Sequence, residues 1–141
     1  MEPPPPPTPT RPYLFFALIG VLGLLFCLCE IYARESIVLG GTIVSSKSSC
    51  AQPYNNRCAT VYVVEDPRGA RTEYVAGPTD HSLKRYLPVG TSIQKARWSL
   101  SYMVDGHHFD DFPRYFYFGV GLVAVCFLYW ALSLYRIGRG T

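Results

Sequence analysis

His107-His108-Phe109-Asp110-Asp111 is the one stretch of this 141-residue chain that gathers side chains of metal-ligand type. Two imidazoles and two carboxylates offer N and O donors for a divalent cation. Adjacent residues on a strand point to opposite faces, however, so His107 and His108 cannot readily share an ion. The favoured reading is a polar turn next to an apolar segment, with no metal and no cofactor expected. His107, His108, Asp110 and Asp111 remain the candidate cluster for an alternative function, the handling of a metal or small ligand. His81 is too remote in sequence to join them.

Five cysteines divide by context. Cys50 and Cys58 flank a seven-residue segment rich in turn formers, Ala51-Gln52-Pro53-Tyr54-Asn55-Asn56-Arg57. Such a turn can bring two strand ends within the Cα separation that a disulfide requires. A Cys50–Cys58 bridge is expected, and it implies an oxidising compartment. Two thiols facing the cytosol are the alternative. Cys27 and Cys29 lie in an apolar run, where a spacing of two turns a helix by about 200°, so they do not form a metal or redox pair.

Two pairs of residues suggest further roles. Glu30 is the one ionisable side chain well inside an apolar run, and an acid within a bilayer is a functional candidate by default. It lies near the end of that run, one helical turn before Arg34, so an i,i+4 ion pair is expected instead. Trp98 and Tyr102 share the alternation Ala96, Trp98, Leu100, Tyr102, Val104. That pattern places both on one face, either as core or as an aromatic binding platform. No nucleophile–base spacing, phosphate-binding glycine loop or Walker pattern occurs. Ser45-Ser46-Lys47-Ser48-Ser49 reads as a polar loop. No catalytic residue is named, and a non-enzyme is expected.

The elements that must position these residues are set by two long apolar runs, Tyr13–Ala33 and Tyr115–Ile137. Either can cross a hydrocarbon core of about 30 Å as a helix rising 1.5 Å per residue. The first is too long for a signal-peptide core and lacks a small-residue cleavage site, so it reads as an uncleaved signal anchor. Tyr and Trp cluster at both ends of the second, as suits an interfacial belt. Neither run contains GxxxG, so close helix pairing through that motif is not signalled. The expected layout is a proline-rich tail (1–12), a first span (13–33), a β-rich domain (34–114), a second span (115–137) and a short tail (138–141). The tail MEPPPPPTPTRP reads as a stiff, solvated polyproline segment.

Strands dominate the middle. Ile37–Ser45, interrupted by Gly40-Gly41, suggests a bulge. Cys58–Asp66 and Arg71–Val75 form a hairpin around Asp66-Pro67-Arg68-Gly69. Thr79-Asp80 caps a short helix over 81–87, and Thr91–Val104 is a further strand. Asp105-Gly106 turns the chain into a brief return over 107–112. The fold class is therefore a two-helix transmembrane hairpin, membrane α plus β, with an inserted β-barrel-like or curled-sheet domain of about five strands.

Charge narrows the partners. Residues 34–114 hold ten Lys/Arg and eight Asp/Glu, scattered without a basic run, so nucleic acid is not expected. Lys/Arg counts near the span ends are nearly tied, and the disulfide decides the orientation: termini cytoplasmic, domain extracytoplasmic.

Gly41-Thr42-Ile43-Val44-Ser45 after the first span, the valine-rich strand near 60–65, and Tyr86-Leu87-Pro88-Val89-Gly90-Thr91-Ser92-Ile93 resemble a bacterial family of small membrane proteins. Its members carry a β-rich domain of unknown function between or beside transmembrane helices. The resemblance covers roughly 36–104, and Lys95–Gly106 departs from the family's Tyr-Asp/Asn-Pro-like turn. It implies a bacterial inner-membrane location and brings no catalytic residues. The expected function is a membrane-anchored, non-enzymatic interaction or accessory protein. Its partners would be the lipid bilayer and either a membrane or extracytoplasmic protein or a second copy of the chain.

Overall fold

The structure, a computed structural model, describes residues 12–50 and 58–139. Most of the proline-rich tail and the segment joining Cys50 to Cys58 lie outside them. The chain divides into two compact units, one containing the two helices up to Cys27 and from Arg114, the other spanning Leu28–Pro113.

The helical unit is formed by α1 (Pro12–Ser36) as far as Cys27 and by α2 (Arg114–Arg139). Pro12 opens α1, where its fixed φ suits the first turn and its missing N–H costs nothing. Within this unit the helices run antiparallel. Tyr13 meets Tyr135 at 5.6 Å between ring centroids, Phe16 stacks on Phe127 at 5.9 Å, and Phe26 meets Tyr117 at 5.8 Å. The seam is built from small residues. A Cβ on Gly20 would lie 2.6 Å from Leu128 Cγ, and one on Gly23 would lie 3.0 Å from Ala124 Cβ. Tyr117, Ala124 and Ala131 are buried at seven-residue intervals along α2, the repeat of a coiled-coil seam. The pairing does not use GxxxG, the motif found in neither run. It arises because Gly20, Gly23 and Cys27 make a small-residue stripe with different spacing.

The rest of the helical surface is apolar and uncovered. Leu14, Phe15, Leu18, Leu22 and Leu25 are exposed on α1, as are Phe118, Leu122, Val125 and Leu132 on α2. In the most apolar windows of the two helices only 11 % and 17 % of residues are buried. Both helices are long and apolar enough to cross a membrane. A core helix of a water-soluble fold would bury such a surface instead.

The second unit holds one antiparallel sheet of six strands in the order β3-β2-β1-β4-β5-β6. The strands are β1 (Leu39–Cys50), β2 (Cys58–Glu65), β3 (Arg71–Ala76), β4 (Ser92–Lys95), β5 (Tyr102–Val104) and β6 (His107–Phe109). The sheet is open: β3 and β6 are its edges, so of the two expected forms, barrel-like or curled sheet, the closed barrel does not occur. Six strands form instead of about five because Trp98 takes a left-handed backbone conformation (φ 63°), which breaks the expected 91–104 strand into β4 and β5. The run read as a polar serine loop, 45–49, is part of β1 and pairs with 59–63 of β2. Ser45, Ser46, Lys47 and Ser48 are all exposed, so neither face of this stretch gives an apolar alternation and its strand character was hidden.

The bulge also moves. Gly40 and Gly41 stay in register with Gln94 and Ile93, and the register shift falls between Ile43 and Ser45. Gly41 has another role: a Cβ there would sit 2.1 Å from the Glu65 carbonyl oxygen, so only glycine permits β1 to approach the end of β2. The 58–75 hairpin forms as expected. Asp66 Oδ1 accepts from Arg68 N (2.8 Å) and Ala70 N (2.9 Å) in its turn. Asp105 and Gly106, both at positive φ, make the tight β5–β6 turn.

One sheet face forms the core, with Leu39, Ile43, Tyr62, Val64, Ala76, Ile93, Tyr102 and Val104. Leu83 and Leu87, from the connection 77–91, close over it.

Candidate functional site

The last turn of α1 meets the base of the sheet around two buried cations, and the 28–113 unit is organised there. Arg34 is fully buried. Its Nε donates to Leu100 O at 2.9 Å, and its Nη1 donates to Ser82 O at 2.6 Å and His81 O at 3.4 Å. Nη2 pairs with Asp111 Oδ1, and the guanidinium lies 5.0 Å from the Tyr102 ring centroid. Tyr102 Oη donates to the other carboxylate oxygen of Asp111 at 2.9 Å. A buried charge is tolerated only when its donors are met, and the planar fork of arginine reaches this many acceptors at once.

Lys95 is the second cation. It takes an inward position on β4, in phase with Ile93 and opposite Leu39. Its Nζ donates to Ile37 O (3.4 Å), Ala96 O (3.0 Å) and Ser99 O. Burial lowers its pKa, the Arg34 charge lowers it further, and Glu35 opposes both. These contacts also complete the helix end. A helix leaves its last carbonyls without intrahelical partners, and here Glu35 O accepts from Trp98 N at 2.9 Å and Ala33 O from Ser36 Oγ at 2.9 Å.

Three tyrosines hold the connection across the core. Tyr74 Oη accepts from Leu83 N (2.8 Å), Tyr102 Oη from Lys84 N (3.1 Å) and Tyr62 Oη from Leu87 N (2.8 Å). These bonds explain why the helix expected over 81–87 is absent: its backbone N–H groups are committed to side chains of the sheet instead of to carbonyls four residues back. Burial raises the pKa of all three phenols.

The residues singled out by type fall in different places. His107 and His108 lie exposed on edge strand β6, and Asp110 is exposed beyond it. Asp111 is committed to Arg34 and Tyr102. Among the described residues no group of three or more His, Cys, Asp or Glu side chains is placed to hold a metal ion. Glu30 does not pair with Arg34. Its Oε2 lies 2.7 Å from His81 Nδ1, because Arg34 is drawn into the sheet unit by stronger partners. Trp98 and Tyr102 do not share a face: Tyr102 is 2 % exposed and Trp98 is 61 % exposed. Cys50 and Cys58 are direct partners across β1 and β2. Cys27, Cys29 and Cys126 are free.

Sequence reasoning missed Arg34 and Lys95 as the centre of the unit. A lysine in phase with Ile93 on an otherwise inward face was the available signal. A polar depression of about 200 Å³ lies beside the junction, with Thr79, Asp80, Lys84 and Asp111 on its walls. Its cations are already engaged, Lys84 over the Phe109 ring at 5.1 Å and Arg85 on Cys58 O at 2.8 Å. The chain matches no protein-family model, no curated protein and no solved structure.

Proposed function

We propose that the chain is a two-span, non-enzymatic membrane protein that presents the sheet unit, on the extracytoplasmic side, to a protein partner or to a second copy of itself. One observation carries this reading: two antiparallel helices bury glycine and alanine between them and leave leucine and phenylalanine outside. Lipid is the solvent in which that arrangement is stable, because small residues let the backbones approach while large apolar ones face the acyl chains.

The interaction role is supported by the open sheet. Strand β3 is an unpaired edge, and Val61 lies opposite Val75 on the face away from the core, with Val75 exposed. Unpaired edges are where extended peptides add to a sheet. The buried cations support a scaffold rather than a catalyst, since their donors are spent on backbone carbonyls and on the Asp111 carboxylate.

The extracytoplasmic placement rests on a Cys50–Cys58 disulfide. Directly opposed residues of an antiparallel pair have Cα atoms about 4.5–5.5 Å apart, within the range of the bridge. Cys50 and Cys58 should resist alkylation until reduced, and rapid labelling without reductant contradicts the placement.

A photo-crosslinking residue at Val75 tests the interaction. In intact membranes it should capture one discrete species, partner or second copy. Recovery of uncrosslinked monomer alone, repeated across growth conditions, contradicts the proposal.

A further inference from the structure

Within the Leu28–Pro113 unit, the segment 96–101 presents an exposed tryptophan on a backbone that is held from several sides. Lys95 Nζ binds the carbonyls of Ala96 and Ser99, and Arg34 Nε binds that of Leu100. Ser99 Oγ donates to Ser101 O at 2.9 Å. Trp98 N donates to Glu35 O in the last turn of α1. Trp98 itself sits at φ 63°, a conformation that a bulky residue adopts only when its surroundings enforce it. Two buried cations and one helix carbonyl thus hold an indole out of the core.

The indole is not alone. Tyr32, exposed on α1, lies 6.4 Å from it between ring centroids, and the Arg97 guanidinium lies 5.2 Å over the indole ring. Arg97 is itself exposed. An aromatic pair with polar tips and a stacked cation is the composition found where an apolar phase meets water. The tie to Glu35 joins Trp98 directly to the final turn of α1.

We propose that the 96–101 loop is a membrane-interface anchor, with Trp98 and Tyr32 seated among the phospholipid headgroups at the end of α1 and Arg97 on their phosphates. The occupant is the lipid of the bilayer that α1 crosses, so the inference rests on the two-span reading above. Charge complementarity favours lipid over an apolar protein surface: the guanidinium stacked on the indole needs an anionic or aqueous neighbour.

The chain has two tryptophans, which allows a test in the full-length protein. Reconstitution into phosphatidylcholine–phosphatidylglycerol vesicles is done twice, once as Trp130→Phe, leaving Trp98, and once as Trp98→Phe, leaving Trp130. Emission is quenched by nitroxide lipids labelled at the headgroup or near the acyl end, and separately by aqueous iodide. Trp98 should lose more emission to headgroup-labelled lipid than to acyl-end-labelled lipid or to iodide, and Arg97→Glu should diminish that loss. If Trp130 is quenched by lipid while Trp98 responds only to iodide, the anchor is overturned and the spans stand. If lipid quenches neither tryptophan, the two-span reading itself fails.

Discussion

The two units use opposite interiors. The helical unit buries its smallest residues, Gly20, Gly23 and Ala124, and turns its largest apolar side chains outward. The sheet unit buries Arg34, Lys95, Tyr62 and Tyr102, with Tyr74 partly buried, and places serines and charges outside. On the two-span reading proposed above, size and polarity follow from what surrounds each unit. Between helices in lipid, burying a leucine gains little over leaving it among acyl chains, so close approach of backbones decides the seam. In water, apolar burial drives collapse. A sheet with one covered face must then satisfy every polar group of the irregular segment that covers it. Arginine, lysine and tyrosine do this because each reaches backbone atoms that no strand partner can reach.

The contrast can be broken most severely at Gly41. Gly41→Ala places a methyl against the Glu65 carbonyl and should destabilise the sheet unit by about 3 kcal/mol or more. Far-UV circular dichroism should then lose strand signal while the protein stays in the membrane fraction. Loss of membrane association together with strand signal would show that the two units do not stabilise independently.

Arg34→Met comes next. It removes four donor contacts and leaves Asp111 and several carbonyls without their cation, at a cost of about 2–4 kcal/mol. The lower part of that range is expected because the Asp111 side chain is 41 % exposed and water replaces part of the loss. Thermal unfolding of the sheet unit measures it, and an unchanged midpoint contradicts the role given to Arg34.

Tyr62→Phe is milder. It deletes the acceptor for Leu87 N and the donor to Lys84 O, and should cost about 1–3 kcal/mol. The same tyrosines give the unit an alkaline limit. Folding raises the pKa of Tyr62, Tyr74 and Tyr102 above the ordinary 10.0. Their contribution is therefore fully present below pH 10.0 and is lost as pH rises through the raised values. Lys95 acts in the opposite sense, since its lowered pKa makes burial less costly as pH approaches 10.5, but one group opposes three. Unfolding followed by tyrosinate absorbance should begin above pH 10.0, and Tyr62→Phe should weaken its pH dependence.

The smallest effect is expected at Thr60, whose buried Oγ1 has no hydrogen-bond partner among the described residues. Thr60→Val keeps the shape and removes an unsatisfied group, so stability should hold or rise by up to about 1 kcal/mol. A marked loss would mean that the hydroxyl is in use.

Sequence patterning was a good guide where one physical pattern dominated. The two long apolar runs, the 58–75 hairpin and the Asp105-Gly106 turn were legible because length, alternation and turn chemistry are local signals. The choice between barrel and curled sheet stayed open because closure depends on edges, and no local pattern says whether β3 and β6 meet. The helix over 81–87 failed because its competitor, tyrosine hydroxyls from three strands, is distant in sequence. The clean alternation through Trp98 misled for a related reason. Buried cations at Arg34 and Lys95 tie the surrounding carbonyls to the helix end, and the loop bends to meet them. Glu30 and Arg34 were correctly seen as one turn apart, but proximity on a helix does not decide partners when His81 and Asp111 offer better geometry.

The central claim is that two spans carry one sheet unit on a single side of a bilayer, and site-specific labelling from each side tests it most directly. Lys47→Cys, on the solvent-exposed part of β1, is introduced into a chain tagged at both termini and placed in sealed vesicles of known orientation. The account predicts that a membrane-impermeant maleimide labels position 47 from one side only, and that protease removes both tags from the other. Labelling at position 47 and cleavage of both tags from the same side would contradict it.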